Sequence, residues 1–517
     1  MITDHLPVFI IVIPLLVAFA LPLIDRLSAL LRDILSVSVA VLNVIMCLVV
    51  GKQVQSAGSL IYVMGSQSTA VMMPSGNILP IRILLEVDGF GILIAFASSL
   101  VAIAVIVYSL CFMKKHERLG KYYALMFICI AAINGMLFTG DLFNLFVFLE
   151  VLSLASAGLV SFWREDDESP EAAFKYIVIS TVASLFVLFA IGILYGQYGA
   201  LNIAALAGMI EYGLLDKVAL CMFVAGFAMK CGAAPLHMWL ADLYSRTPAS
   251  ITALFVVISQ ISLYALVRVM FTLFGIKLNT VVLGWIVVAF GIISMIVGAL
   301  MALPQKDIKR MMAYQGISQT GYMLLGIGTG LVVLSDPEAL SAFGITAING
   351  GIFHIVNDII YKSLLFLAAG AVFYRLGTRN MDEMGGLAKK MPFTTIIFII
   401  GMFAISGIPP FNGFASKFLI YESVFRLNPL LSVIAIIVSI LTLAAFMKAF
   451  HSIFLGSAKT SLKNVKEVPN LMIISMLFLS VMIIIIGLFP GFIVNNFIQP
   501  ATDALVSQAG YIGAILP

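Results

Sequence analysis

The chain is 517 residues long, 62% hydrophobic and only 10% charged, against about 45–50% apolar and about 25% charged in soluble domains. With a mean hydropathy of +1.13 and apolar runs of membrane-crossing length along its whole extent, it excludes a soluble globular enzyme and leaves no soluble domain over. The net charge of +4, from 29 Lys and Arg against 25 Asp and Glu, sits mostly in short connectors, which reads as membrane orientation and not as a nucleic-acid surface.

In chain order, apolar runs bounded by charge or by Pro and Gly predict spans at 7–24, 34–50, 90–112, 121–139, 142–162, 173–195, 217–240, 249–275, 279–302, 311–331, 341–374, 393–421, 429–455 and 470–493. The expected fold is therefore all-α and polytopic, with about fourteen membrane helices. The first span lacks a basic n-region and a small-residue cleavage signature, so it reads as an uncleaved helix. The acidic stretch from Arg164 to Glu171 reads as a solvated loop, with Ser169 as N-cap and Pro170 in the first turn of span six. A short interfacial helix is expected at 201–210, and residues 494–517 read as a polar tail.

Three spans do not read as plain helices. Span seven contains Gly232 to Pro235 and span twelve contains Ser406-Gly407-Ile408-Pro409-Pro410, so both are expected to break in mid-membrane. Span eleven is too long for a simple crossing. Counting the first residues of the flanking spans, nineteen Lys and Arg lie in or beside loops after odd-numbered spans and five in or beside loops after even-numbered spans, which predicts cytoplasmic odd loops with both termini outside. The two broken spans lie five helices apart, an odd offset. Two five-helix units, helices 4–8 and 9–13, would then be inverted repeats, a plan that places sites at interrupted helices. The resulting division is 1–112 for helices 1–3, 121–275 and 279–455 for the two repeats, and 470–517 for helix 14 and a tail.

Charges inside such spans cost about 2.5–3.5 kcal/mol each on insertion scales, and mark pathways. Glu150 lies roughly nine residues into span five. Lys230 stands immediately before the break in span seven, where freed carbonyls can solvate an ammonium. His354, Asp358 and Lys362 follow one another at i, i+4 and i+8 on one helical face, a ladder of proton-accepting groups with Asp358 placed to neutralise Lys362. Lys417 follows the second break. His237, Asp242, Asp307 and Lys309 lie nearer span ends, where capping is as good an account, and Lys448 and His451 can snorkel to the surface. The five cysteines, at 47, 111, 129, 221 and 231, form no CxxC pair, so no metal or redox centre is expected, and no cofactor.

Four segments are more specific than composition. Thr139-Gly-Asp-Leu-Phe-Asn-Leu-Phe-Val-Phe-Leu-Glu150, Lys230-Cys-Gly-Ala-Ala-Pro-Leu-His-Met-Trp-Leu, Asp307-Ile-Lys-Arg-Met-Met-Ala-Tyr-Gln-Gly-Ile-Ser-Gln-Thr-Gly-Tyr322 and Gly407-Ile-Pro-Pro-Phe-Asn-Gly-Phe-Ala-Ser-Lys417 resemble the antiporter-like subunits shared by Mrp-type cation/proton antiporters, membrane-bound hydrogenases and respiratory complex I. The resemblance spans about residues 85–455. The wording around Asp141 and the tail Tyr511-Ile-Gly-Ala-Ile-Leu look closest to the branch that holds the D-type Mrp subunits and the hydrogenases. It implies a fourteen-helix fold that moves protons along a central hydrophilic axis. Glu150 would pair with Lys230, the residues His354, Asp358 and Lys362 would continue the path, and Lys417 would form its exit.

Two departures stand out. Gln260 occupies the position where the family often carries a helix-eight lysine, which leaves water, His237 or an interruption of the relay as alternatives. Ala241 replaces a usual proline. Arg268 and Lys448 are further candidates on the path. The expected partners are other membrane subunits of an antiporter or respiratory complex, including related antiporter-like subunits, with protons and sodium as candidate ions, lipid as surroundings and no nucleic acid. The expected location is a prokaryotic inner membrane. A non-pumping scaffold subunit of a redox complex is the rival, supported by Gln260; a stand-alone solute transporter is a third.

Overall fold

A computed structural model describes residues 2–65, 71–72, 78–79, 83–162, 168–457 and 465–515. Its helices are α1 (Leu6–Leu27), α2 (Ala29–Ala57), α3 (Gly89–Phe112), α4 (Leu119–Phe138), α5 (Leu142–Val160), α6 (Glu168–Tyr198), α7a (Leu214–Cys231), α7b (Met238–Arg246), α8 (Ala249–Arg268), α9 (Thr280–Ala302), α10 (Ile308–Val332), α11 (Ile345–Leu376), α12a (Pro392–Ser406), α12b (Asn412–Leu427), α13 (Pro429–Phe450) and α14 (Asn470–Leu488). Among the described residues, eleven helices are long and apolar enough to cross a membrane. The three expected spans outside that set are the two split ones and α10. That helix is 25 residues long but polar, carrying Lys309, Arg310, Gln315, Ser318, Gln319 and Thr320.

Local sequence explains where these helices start and stop. Asp88 and Asp141 accept backbone N–H bonds at the starts of α3 and α5, both at 2.8 Å. Asp307 Oδ1 accepts from Lys309 N and Arg310 N at the start of α10, which satisfies donors a helix leaves orphaned. The two breaks are built alike. Gly232 (φ 73°) ends α7a and Gly407 (φ 75°) ends α12a, each in the left-handed region, where only glycine sits without strain. A proline follows each, and the chain resumes as α7b and α12b.

The packing inverts the usual relation of polarity to burial. Every residue of α8 is buried, as is α11 from Ala347 to Val372 and all of α10 except Arg310. These central helices carry buried polar and charged side chains, among them Gln260, Arg268, Lys309, His354, Asp358 and Lys362. The surrounding helices instead expose large apolar groups such as Phe19, Leu154 and Ile440. Close helix approach makes this possible. An ideal Cβ on Gly321 of α10 would lie 2.5 Å from Gly291 O and 2.6 Å from Met295 N of α9, so the two backbones touch, as small residues allow within a membrane.

The structure departs from the sequence expectations in several places. Span eleven is not interrupted: α11 is one 32-residue helix, preceded by a π-turn at Leu340–Gly344. The fold is all-α apart from its connectors: between α2 and α3, Leu60–Val63 pairs antiparallel with Leu84–Val87, opposing Ile61 to Glu86. The tail is not a loose polar end; it forms helices Gln499–Val506 and Gln508–Ile515 that bury Leu505 and Tyr511. The interfacial helix is present as Ile203–Met209. Ser169 lies inside α6, where its Oγ donates to Arg246 O at 2.9 Å instead of capping the helix. Residues 163–167 of the acidic loop lie outside the described residues.

Substituting Gly321→Val forces a side chain into the α9 backbone, and overpacking of this kind costs about 1–3 kcal/mol. The detergent-solubilised variant should melt below wild type, whereas Gly192→Val, with nothing within 4 Å of its Cβ position, should not.

Candidate functional site

Two polar clusters lie inside the bundle. The first is centred on Lys230, at the end of α7a and 8% exposed. Its Nζ donates to Ser153 Oγ of α5 at 2.5 Å and to Ser180 Oγ of α6 at 2.8 Å. Ser180 Oγ in turn donates to Ser153 Oγ at 3.0 Å. Glu150 stands one turn before Ser153 on α5, and its Oε1 is buried without a hydrogen-bond partner among the described residues. Glu150 and Lys230 therefore do not form a direct ion pair; two serine hydroxyls solvate the ammonium. A small cavity of about 10 Å³ adjoins Lys230 and is lined by Ser153, Ser180, Trp239, Ser259 and Ser262. That is room on the scale of one water, between Lys230 and the serines of α8.

The second cluster is centred on Asp358 of α11, which is fully buried. Its Oδ2 accepts from Lys362 Nζ at 2.6 Å, one turn away, and from Gln260 Nε2 of α8 at 2.7 Å. Lys362 lies against α10, where its Nζ would be 3.2 Å from a Cβ on Gly316. One turn before Asp358, His354 Nε2 is 3.2 Å from Gln319 Oε1 and 3.3 Å from Tyr361 Oη, and its Nδ1 is 2.9 Å from Ser416 Oγ of α12b. The next residue, Lys417, donates from Nζ to Ile405 O at 2.8 Å, in the freed end of α12a, and to Ser439 Oγ at 3.1 Å. It also stands 4.4 Å from the centre of the Tyr322 ring, a cation–π distance.

Of the residues picked from sequence, the structure brings Gln260, His354, Asp358, Lys362 and Lys417 together and sets Glu150 and Lys230 in a neighbouring cluster. Gln260 links α8 to the charged pair through its hydrogen bond to Asp358. His237 begins α7b with its Nδ1 unpartnered among the described residues, and no hydrogen bond joins it to Lys230 or Gln260 there. Lys448 caps the end of α9, donating to Leu303 O at 2.8 Å and Gln305 O at 3.2 Å. Arg268 is bound at the far end of α8 to Asp88, at 2.7 and 2.8 Å, and to Tyr264 Oη at 2.9 Å.

Sequence reading missed the serines at 153, 180, 416 and 439, and also Gln319, Tyr322 and Tyr361. Ser153 carried a weak signal, three residues after Glu150 and thus on the same helical face. Ser180 and Ser439 carried none, since their roles depend on which helix lies opposite. Oxygen and nitrogen atoms without a partner among the described residues gather on the same faces: Gln260 Oε1, Asp358 Oδ1, Gln315 Oε1 and Nε2, Gln319 Nε2 and Asn412 Oδ1.

A family model described as "NADH:quinone oxidoreductase/Mrp antiporter, TM" matches residues 139–442, a stretch that contains both clusters. The chain belongs to this family. It is 32% identical to the NADH-quinone oxidoreductase N subunit of Desulforudis audaxviator, across 96% of this chain and 99% of that one. It is also 32% identical to a Na(+)/H(+) antiporter subunit of Alkalihalophilus pseudofirmus, across 84% and 86% of the two chains. A chain in the structure of the Mrp complex from Dietzia sp. DQ12-45-1b superposes over the full length of both, with a TM-score of 0.88 at 25% identity. As a member of the NADH:quinone oxidoreductase/Mrp antiporter family, the protein is a polytopic, antiporter-like membrane subunit, and its partners are other membrane subunits of a multisubunit complex.

The buried Asp358–Lys362 pair gives a direct test of the central cluster. Asp358→Asn leaves the Lys362 ammonium without its counter-charge, a change worth about 3–5 kcal/mol. Thermal unfolding in detergent should show that loss, and the double variant Asp358→Asn, Lys362→Met should recover most of it. Equal stability of the wild type and the single variant would mean that the pair is not charged.

Proposed function

We propose that this subunit carries protons across a prokaryotic inner membrane, from the Glu150–Lys230 cluster through Asp358, Lys362 and His354 to Lys417. The observation that carries the reading is the line of titratable side chains on the buried length of α11, tied to α8 by the hydrogen bond Gln260–Asp358 and continued by Asp358–Lys362 and His354–Ser416. A buried ion pair contributes little net stability, so stability is a poor reason to place one at the centre of a bundle. Groups that titrate, with unpaired polar atoms beside them that bind water, are what a proton path needs.

In this reading Lys230 exchanges its proton with the water-sized cavity facing Ser259 and Ser262. The proton then reaches the Asp358–Lys362 pair over the polar face of α8. The Asp358–Lys362 pair hands the proton on when its contact lengthens. His354 and Ser416 pass it toward Lys417, which sits on the carbonyls freed by the α12 break. Helices α4–α8 and α9–α13 act as two inverted units, each with one broken helix and one lysine beside the break. Both chain termini face outward, and lipid covers the exposed apolar groups. The driving energy comes from partner subunits or from a cation gradient, with sodium as the counter-ion where the assembly is an antiporter.

A scaffold without transport is the rival, and its support was the amide at position 260. The hydrogen bond from Gln260 to Asp358 weakens that support, since the amide preserves the connection an amine would make.

Lys230→Ala should abolish proton-coupled transport in membrane vesicles that carry the assembled complex, with normal amounts of the subunit co-purifying with its partners. Transport at the wild-type rate in that variant would remove the proposed path and favour the scaffold.

A further inference from the structure

At the far end of α8 from the start of the bundle, a third polar cluster belongs to neither of those above. Arg268 binds Asp88 through both terminal guanidinium nitrogens, with the two side chains each 5% exposed. Two residues before Asp88, in the strand Leu84–Val87, stands Glu86. It is 2% exposed, and neither of its carboxylate oxygens has a hydrogen-bond partner among the described residues. It lines a cleft of about 880 Å³ between α2, the first turns of α3 and the two C-terminal helices, together with Asp88, Lys52, Asp503, Ser507 and Tyr511.

An ionised carboxylate is not stable in such a place without a partner. Arg268 is committed to Asp88 and to Tyr264. Burial, with the Asp88 charge beside it, pushes the Glu86 carboxyl well above the usual carboxylate range; Tyr511 and Arg268 oppose this less strongly. A metal cation is a poor occupant, because no three Asp, Glu, His or Cys side chains gather as ligands among the described residues. What the position suits is a carboxyl that holds a proton at the floor of an open cleft.

Both clusters touch the same helix, α8. Gln260, Tyr264 and Arg268 fall at i, i+4 and i+8, one face of α8 spanning about 12 Å. The first residue of that stripe holds Asp358, and the last holds Asp88 beside Glu86. Tyr264 lies between them, its hydroxyl accepting from Arg268 and donating to Leu137 O at 2.9 Å.

We propose that Glu86 is a proton-exchanging carboxyl that connects the central Asp358 cluster, along the Gln260–Tyr264–Arg268 face, to the cleft between α2, α3 and the C-terminal helices. This is a second port, distinct from the Lys417 end, and it rests on the proton-path reading above. The groups facing Glu86 that set its behaviour are Asp88, Arg268, Tyr264 and Tyr511, with Lys52 and Asp503 farther along the cleft.

The test uses native membranes containing the assembled complex. Dicyclohexylcarbodiimide, an apolar reagent that attacks protonated carboxyls, should modify Glu86, and peptide mass spectrometry should show the adduct forming faster as pH falls from mildly alkaline to mildly acidic. Glu86→Gln should slow proton-coupled transport by about a hundred-fold, the usual scale for losing a positioned proton-transfer group, and Glu86→Asp should restore part of the rate. Absence of the adduct at every pH would overturn the proposal, and so would a wild-type rate in Glu86→Gln where Lys230→Ala is inactive. If Lys230→Ala itself transports normally, the parent reading fails separately, and the adduct alone decides whether Glu86 carries a proton. The adduct decides likewise if Glu86→Gln fails to assemble.

Discussion

The Asp358 carboxylate, buried and shared between an ammonium and an amide, is the contact on which the rest of the bundle depends. It joins α8 to the buried length of α11, Ala347–Val372, and so adds a polar bond to the apolar packing between the first group of helices and the second. Such a bond holds only if water and lipid are kept away from the central helices. The outer helices do this by presenting apolar groups on both faces, and the glycine contacts between α9 and α10 let backbones close without leaving gaps. The arrangement explains why α10, the least apolar of the helices of membrane-crossing length, is also among the most buried.

The same constraint governs the broken helices. A helix interrupted inside apolar surroundings leaves carbonyls that need donors. In α12 the lysine beyond the break supplies one: Lys417 Nζ donates to Ile405 O. In α7 the solution differs, since Trp239 Nε1 donates to Met229 O at 3.0 Å while Lys230 turns to two serines. The two breaks therefore share their backbone construction, a left-handed glycine followed by proline, yet distribute their lysines differently. One ammonium completes a helix end; the other is held by hydroxyls beside a water-sized space.

Much of this was legible in the amino-acid order because periodicity and punctuation are local. His354, Asp358 and Lys362 share a face by arithmetic alone, and the Gly–Pro clusters at 232–235 and 407–410 announce their breaks. The pairing of Arg268 with Asp88 was not legible, because 180 residues separate them and nothing in one sequence says which helices meet. For the same reason Lys448 looked like a path residue until its carbonyl partners placed it at a helix end. The strand holding Glu86 and the helices holding Tyr511 fall in stretches too short or too polar for a membrane-span pattern. Composition therefore dismissed them as connector and tail. The separation of Glu150 from Lys230 was equally hidden: their spacing fixes their helices, but Ser153 and Ser180 decide what the ammonium touches.

Gln260 shows how the centre stays balanced. Around Asp358 the structure supplies one carboxylate and one ammonium, and the third contact is a neutral amide. An amine at that position would set two ammonium groups on a single carboxylate, and one of them would be buried without a counter-charge, at a cost of several kcal/mol. The amide donates the same hydrogen bond without adding a charge. A neutral link also leaves Lys362 as the single ammonium bound to Asp358. The amide cannot itself carry a proton, so the path proposed above needs water or hydroxyls at its side. Ser259 and Ser262, which flank Gln260 and line the cavity at Lys230, are the hydroxyls placed there.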